Sequence, residues 1–405
     1  MKSRCLLFAL ILAAGLAPCA RAADSDEGAQ ALLDQVDAIT RKLGDPRPAP
    51  APAPVAAPGA PSTAWKEVVE PGEAELFAGF AKEIQAQQQE AAQGGPLRRG
   101  FHAKLHAGIA AEFRVLDGLP AHARVGLFAT AKTFPCVVRF SNGSPTLQPD
   151  GRPDPRGIGV KVIGAPGRKL LPGLEDAVTQ DFLATSHSVT STVRSAKQFM
   201  AFIHAAKNKL TLPITLAREL GVWESARILK AFAGTVLLSK VHSMATEHFS
   251  STAPIKFGAL AGKFAIQPSA GTPEAAKRPK SDDSLHDELA DRLRAGDVVL
   301  DFVVQFYVDD QRTPIEDTSV AWDPAVAPCV KVAQIVIHKC DLDLPAAKAF
   351  SQAVDHLSFS PWHATEDHRP LGNIMRARRV AYAASTSLRG VAGEPARLED
   401  VAPAR

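Results

Sequence analysis

The sequence predicts an α+β fold organised around an antiparallel sheet or barrel. Short strand-like apolar runs gather in two groups, at 101–163 and 256–338. Helical spacing is segregated from them, chiefly between and after the two groups. Turn-rich segments such as Pro149-Asp150-Gly151-Arg152-Pro153 break the runs. The 405 residues are 46% apolar and 22% charged, with 31 Pro and 28 Gly. That composition is globular and excludes wholesale disorder, collagen and a coiled coil. The length allows one large domain or two to three ordinary ones.

Taken in order, residues 1–22 carry Lys2 and Arg4 ahead of an apolar run from Leu6 to Leu16, then small residues ending Ala20-Arg21-Ala22. This pattern predicts a cleaved signal peptide and a periplasmic or secreted protein. No stretch reaches the roughly 18 apolar residues of a bilayer crossing, so no membrane span is predicted. Lys2, Arg4 and Arg21 supply the whole of the +3 net charge. The remainder is formally neutral, which argues against nucleic acid or anionic membrane as a partner. Residues 23–64 divide into a short helix over 24–45, marked by Leu32, Leu33, Val36 and Ile39, and an Ala-Pro tract from Pro46 to Pro61. Such a tract is extended and solvated, a spacer. One continuous domain is expected over 65–395, with 396–405 as a tail.

Within that domain, 72–93 reads as an amphipathic helix with Leu76, Phe77, Phe80 and Ile84 on one face. Strands are expected at 102–113, 125–129, 136–141 and 157–163, and helix over 195–245. Further strands follow at 256–267, 298–307 and 330–338, and helices at 345–356 and 371–385. There is no internal repeat and no phosphate-binding glycine loop. Cys5 and Cys19 leave with the signal peptide. Cys329 and Cys340 are close enough to pair across a hairpin, but the favoured reading of Cys136, Cys329 and Cys340 is three small buried hydrophobes. No C-x-x-C spacing supports zinc.

Four segments carry candidate chemistry. In Arg99-Gly100-Phe101-His102, the imidazole suits a general acid or base, and equally a satisfied core or loop histidine. His102 and His106 have the i, i+4 spacing of a helical metal pair. Gly100 and Gly108 bracket them and argue against a helix, leaving the two at opposite ends of a strand. In Val138-Arg139-Phe140-Ser141-Asn142-Gly143, alternation puts Arg139 and Ser141 on one face, opposite Phe140. An inward Arg on a barrel strand requires an anionic partner. The plainer alternative is a surface Arg ahead of an Asn142-Gly143 turn. Asp154-Pro155-Arg156-Gly157 is a tight turn into a strand. In Arg378-Arg379-Val380-Ala381-Tyr382, a helix sets Arg378 and Tyr382 one turn apart. A guanidinium beside a phenol favours phenolate, and tyrosine is one of the few side chains with which proteins hold haem iron. A surface helix contact is the commoner meaning of that spacing.

In their order and spacing these segments resemble the catalase family, and within it the shorter catalase-related proteins. The resemblance runs from about Leu97 through Leu388. It rests on RGFHAK, VRFSNG, DPRGIGVKV and KQFMAFIHAAK, and on the C-terminal DTSVAWDP and FSPWHATEDHRPLGNIMRARRVAY. It implies an eight-stranded antiparallel β-barrel with packed helices, enclosing haem b. The implied activity is an oxidoreductase that decomposes hydrogen peroxide. In another form it uses hydrogen peroxide or an organic hydroperoxide to oxidise an unknown organic reductant. Tyr382 is implied as the iron ligand, with Arg378 holding its phenolate. His102 is implied as the acid–base group on the opposite face, steadied by Ser141. Arg99 and Arg139 are implied as partners of the haem propionates, and KQFMAFIHAAK as a helix lining the distal side.

Family members carry a distal Asn followed by a Pro and two Phe, whereas this chain runs TSHSVTSTVR from Thr185 to Arg194. Ser186 or His187 takes the place of the Asn, and His187 is carried as a catalytic candidate. After Tyr382 the family's Pro-Asp is replaced by Ala383-Ala384. A more polar distal wall makes peroxidase action comparatively favourable over dismutation. It leaves one alternative, a weakly catalytic or non-catalytic haem-binding protein of the same fold. A homo-oligomer is also left open.

Overall fold

The computed structural model describes residues 30–31, 33–34, 36–38, 58–186, 192–208, 211–237, 240–275, 281–391 and 393–401. The chain divides into two compact units, where the sequence predicts one continuous domain. One comprises Met1–Ala57, Arg152–Asp154 and Ser191–Lys240, the other Pro58–Gly151, Pro155–Thr190 and Val241–Arg405.

The second unit is built on nine antiparallel strands. They are β1 (Leu105–Val115), β2 (Thr133–Asn142), β3 (Arg156–Ile163), β4 (Thr179–Thr185), β5 (Phe249–Ser250), β6 (Ile255–Phe257), β7 (Leu260–Pro268), β8 (Val298–Phe306) and β9 (Val330–Ile337). Their order is β5-β4-β3-β2-β1-β9-β8-β7-β6, and an additional β5–β7 pairing closes eight of them into a barrel. The antiparallel barrel with packed helices that the sequence predicts is therefore present. Its helices are α1 (Glu73–Ala92), α5 (Ser284–Ala295), α6 (Pro345–His356) and α7 (Asn373–Leu388). The other unit holds α2 (Ala196–Ala206), α3 (Leu212–Leu220) and α4 (Val222–Phe232). In it Phe202 and Phe232 meet at 5.0 Å, and Glu224 accepts from Arg194, Gln198 and Arg227. The KQFMAFIHAAK segment is helical there, as α2.

Alternation explains the barrel. Phe113 of β1, Val138 and Phe140 of β2, Val160 of β3, Phe182 of β4 and Phe302 of β8 belong to one buried cluster. The Phe182 ring centroid lies 5.8 Å from that of Phe113 and 4.9 Å from that of Phe302. Side chains of this size fill a barrel of eight strands. Of the two placements left open for Arg139, the structure shows neither a barrel-interior nor a surface one: it is buried outside the barrel with Asp355 as its anionic partner. Arg139 and Ser141 alternate with Phe140 and so lie on the outer face. The same face carries Gly108, where a Cβ would stand 2.5 Å from the Val354 Cβ of α6. The missing side chain lets α6 approach β1 closely.

Other expectations are revised. Residues 126–128 form a 3-10 turn instead of a strand, and Phe128 stacks on Phe257 at 5.1 Å. The 256–267 run breaks into β6 and β7 at Gly258, whose φ is +64°. Leu76 is exposed while Phe77, Phe80 and Ile84 are buried. The end of the Ala-Pro tract is docked, with Gly59 N–H donating to the Val326 carbonyl and Ser62 N–H to that of Tyr307. Val401, in the expected tail, packs with Val137, Ile163 and Phe359. All three cysteines after the leader are free: Cys136 is buried, Cys340 half-buried and Cys329 exposed. Among the described residues no helix is long and apolar enough to cross a membrane. Residues 1–22, the expected leader, lie outside the described residues.

Two histidines are buried neutral. His368 sits against Phe128 and Phe257 and accepts the Leu127 N–H. Burial pushes it down to about 4 from 6.5. His106 is bonded to Asn142 Oδ1, and burial, then Arg156 and Lys104, likewise lower it to about 4. Because the folded values lie below the unfolded one, the stability they contribute is present above pH 6.5 and lost as pH falls toward 4. Each shift corresponds to roughly 3 kcal/mol. The urea midpoint is expected to fall steeply between pH 7 and pH 4.5. A midpoint unchanged across that window would show that these imidazoles are not buried neutral.

Candidate active site on the outer face of the barrel

The site is built where β2 and β3 run side by side. Their register sets Ser141 opposite Gly157. His102 precedes β1 instead of lying within it, with φ at +59°, one of three non-glycine residues with positive φ among those described. That conformation costs about 1–2 kcal/mol, so something must hold it. His102 N–H donates to the Gly143 carbonyl at 3.0 Å, and Ala103 N–H to that of Ser144 at 3.1 Å. The His102 carbonyl accepts from Arg139 Nη2 at 2.8 Å. A hydrogen bond from a charged donor is worth about 1.5–3 kcal/mol, enough to offset the strain. The left-handed turn brings the imidazole to Ser141, with Nδ1 3.1 Å from Oγ. The ring lies against Gly157, where a Cβ would be 2.5 Å from Nδ1 and Cε1.

Around this turn the charges are unbalanced. Asp355, at the end of α6, accepts from Arg139 Nε at 3.1 Å and Nη2 at 2.9 Å. Arg99 donates from Nη2 to the Asp355 and Leu357 carbonyls at 2.8 and 2.7 Å, and its Nε is 3.8 Å from the Asp355 carboxylate. Arg389, just past α7, also bears on Asp355. Burial alone would raise the Asp355 carboxyl, but Arg139 and Arg99 hold it below the usual carboxylate range. Burial lowers all three arginines, Arg389 to about 10. Guanidinium stays protonated regardless. Three buried cations thus face one carboxylate. The Nε atoms of Arg99 and Arg389 are buried without an acceptor.

His102 is lowered to about 3, first by burial and then by the charges of Arg139, Arg378 and Arg99. It is a neutral imidazole. On α7, Arg378 Nη2 donates to the Tyr382 phenol at 2.8 Å, with its guanidinium 5.0 Å from the ring centroid. Arg99 and Arg139 feel both the His102 imidazole and the Tyr382 phenol. The two rings therefore belong to one electrostatic neighbourhood. α7 is anchored from its N-terminus, where Gly372 N–H donates to Glu67 and Asn373 N–H to Glu316. Carboxylates suit the positive end of a helix dipole. Arg376 then bonds Glu67, Glu73 and Glu316 together. Along the 16 residues of α7 only Met375 is buried.

The structure brings His102, Ser141, Arg99, Arg139, Arg378 and Tyr382 into one unit. His187 lies outside the described residues. Ser186 is buried and its Oγ accepts the Arg156 N–H at 2.8 Å. His106 is turned to Asn142 and Asp150, away from any metal pairing with His102. Sequence reading missed Asp355 and Arg389. The arginine follows Tyr382 by two helical turns, so that R-x-x-x-Y extended to Arg389 was the available signal. A metal-like cluster of Asp181, His363 and Glu394 is also present, with the Lys161 ammonium already at its centre.

No family model matches the chain. It is similar to a catalase-related peroxidase of Mycolicibacterium paratuberculosis, at 29% identity over 269 residues, covering 64% of this chain and 78% of that protein. In fold it is similar to a fungal catalase, with TM-score 0.56 and 16% identity over 85% of this chain and 68% of that one. A bacterial catalase gives 0.55 and 16% over 88% and 69%.

The contact under His102 makes a direct prediction. Gly157→Ala inserts a methyl where the imidazole lies, so the ring must leave Ser141. A crystal structure of the variant is expected to show the Nδ1–Oγ hydrogen bond broken, at a stability cost of about 1–3 kcal/mol.

Proposed function

We propose that this chain is a member of the catalase family and an exported haem-dependent enzyme using hydrogen peroxide or an organic hydroperoxide to oxidise an organic reductant. The observation that carries this is the neutral, oriented imidazole of His102 sharing its guanidinium neighbours with the Arg378–Tyr382 pair. Export rests on the leader pattern of residues 1–22.

The residues suit a haem. Three buried guanidiniums against one carboxylate leave two positive charges without partners. That is the charge of two propionates, and the acceptor-less Nε atoms of Arg99 and Arg389 point to the same deficit. Tyr382 offers a phenol oxygen that accepts a hydrogen bond from the Arg378 guanidinium at 2.8 Å. The sparsely buried α7 leaves a face for a flat group. Haem b, when bound, would supply the iron at which peroxide is activated.

The protein's own part is proton handling. Neutral His102 takes the proton from one peroxide oxygen and returns it to the other, so that oxygen departs as water. Ser141 fixes the ring's tautomer and direction. Carboxylates docked on Arg99 and Arg139 offset charges that depress the imidazole, and so raise its basicity toward a useful range. Ser186 or His187 in place of the family's Asn, together with the resemblance to a catalase-related peroxidase, supports peroxidase action over dismutation.

Purified, haem-supplied protein is expected to show a Soret band. His102→Ala should keep that band and lose peroxidase turnover by ~10²-fold or more, whereas Tyr382→Phe should lose most of the haem. Full turnover in His102→Ala rejects the mechanism. A pigmented wild type without turnover assigns the protein to haem binding alone.

A further inference from the structure

We infer that Asp355 is a positioning residue for His102, acting through Arg139. The inference rests on the haem-dependent reading of this site. Its observation is the connectivity of one guanidinium. Arg139 Nη2 donates both to the Asp355 carboxylate, at 2.9 Å, and to the His102 carbonyl, at 2.8 Å. Nε donates to the same carboxylate oxygen at 3.1 Å. Asp355 thus fixes the plane and the roll of the guanidinium, and Nη2 is left aimed at a backbone carbonyl. That carbonyl belongs to a residue with φ at +59°. A non-glycine residue keeps such a conformation only where its surroundings over-determine it. Arg139 is the side chain that grips the turn, and the turn sets the imidazole against Ser141 and Gly157.

Asp355 has a second task that makes the arrangement more than a structural ion pair. An arginine that also faces an anionic ligand would swing toward it, because carboxylate is a stronger acceptor for guanidinium than a peptide carbonyl. With Nε and Nη2 tethered to Asp355, only Nη1 is left to meet a ligand carboxylate. Docking an anion then leaves the hold on His102 intact. Without the tether, ligand binding and base positioning compete for one side chain.

The test uses Asp355→Asn, which keeps the shape and removes the charge, and Asp355→Ala. The readouts are the Soret band of the haem-loaded protein and the rate at which cyanide binds, since hydrogen cyanide needs an oriented base to lose its proton. Asp355→Asn is expected to keep the Soret band but to bind cyanide five- to twenty-fold more slowly, Asp355→Ala more slowly still. Asp355→Glu, which restores the carboxylate, is expected to recover most of the rate. Wild-type cyanide rates in both Asp355→Asn and Asp355→Ala overturn the positioning role while leaving haem binding standing. If wild type takes up no haem, the haem-dependent reading fails, and a crystal structure of the Asp355→Asn apoprotein decides this inference alone. His102 with φ still near 59° and its ring still on Ser141 would overturn it, whereas a relaxed turn supports it.

Discussion

The arrangement of this site follows from an excess of buried positive charge. Arg99, Arg139 and Arg389 converge where only Asp355 is available to neutralise them. Burying an unpaired cation is costly, and arginine cannot escape the cost by losing its proton. The polypeptide meets part of the demand with backbone carbonyls: those of Asp355 and Leu357 for Arg99, and that of His102 for Arg139. The same field keeps His102 neutral, which is the form a base needs. Charge excess, strained turn and neutral imidazole are thus one device. Any anionic ligand entering here is bound by the first of them and tunes the last.

The barrel makes that device possible by being closed to it. Phenylalanines from seven strands and from the 126–128 turn fill the interior, so polar chemistry is displaced to the outer face of β2 and β3. There the pleat alternates core residues with functional ones, and glycines at 108 and 157 let α6 and the His102 ring come within contact distance of the sheet. α7 is held by acids supplied from residues 67, 73 and 316. Its own sequence has no N-cap side chain, and Gly372 stands at that position. The phenol's place is therefore set by segments 57 to 309 positions away along the chain.

Much of this was legible in the sequence, for reasons that can be named. Period-2 alternation marked β2, β3, β8 and β9, because each has one apolar face turned to a solid core. It failed on β4, where Gln180 and Asp181 are buried beneath the 358–365 segment, so both faces are covered and polarity no longer reports exposure. It left the placement of Arg139 open, since alternation says which residues share a face but not which face is inside. His102, Ser141, Arg378 and Tyr382 were found from ordered short motifs. Asp355 was invisible to that approach. Its importance lies wholly in contacts with Arg99 and Arg139, more than 200 positions away, and an aspartate in the last turn of a helix otherwise reads as solvated surface.

The departure at Ser186 or His187 bears on the peroxide chemistry proposed for this scaffold; of the two, Ser186 lies among the described residues. Its Oγ is already committed as acceptor to the Arg156 N–H, and its backbone N–H to the Arg156 carbonyl. A short hydroxyl tied to the β3 backbone cannot extend over a substrate as a longer amide side chain does. With Ser186 in the Asn's place, orientation of peroxide in the proposed reaction would fall to His102 and Ser141. Dismutation asks that two peroxide molecules in succession be held in register with the imidazole, and effective molarity is lost steeply with misplacement. A reductant that delivers electrons singly makes no such demand on the distal wall. On that argument the substitution costs dismutation more than it costs peroxidation, which is the sense in which the proposed activity is weighted.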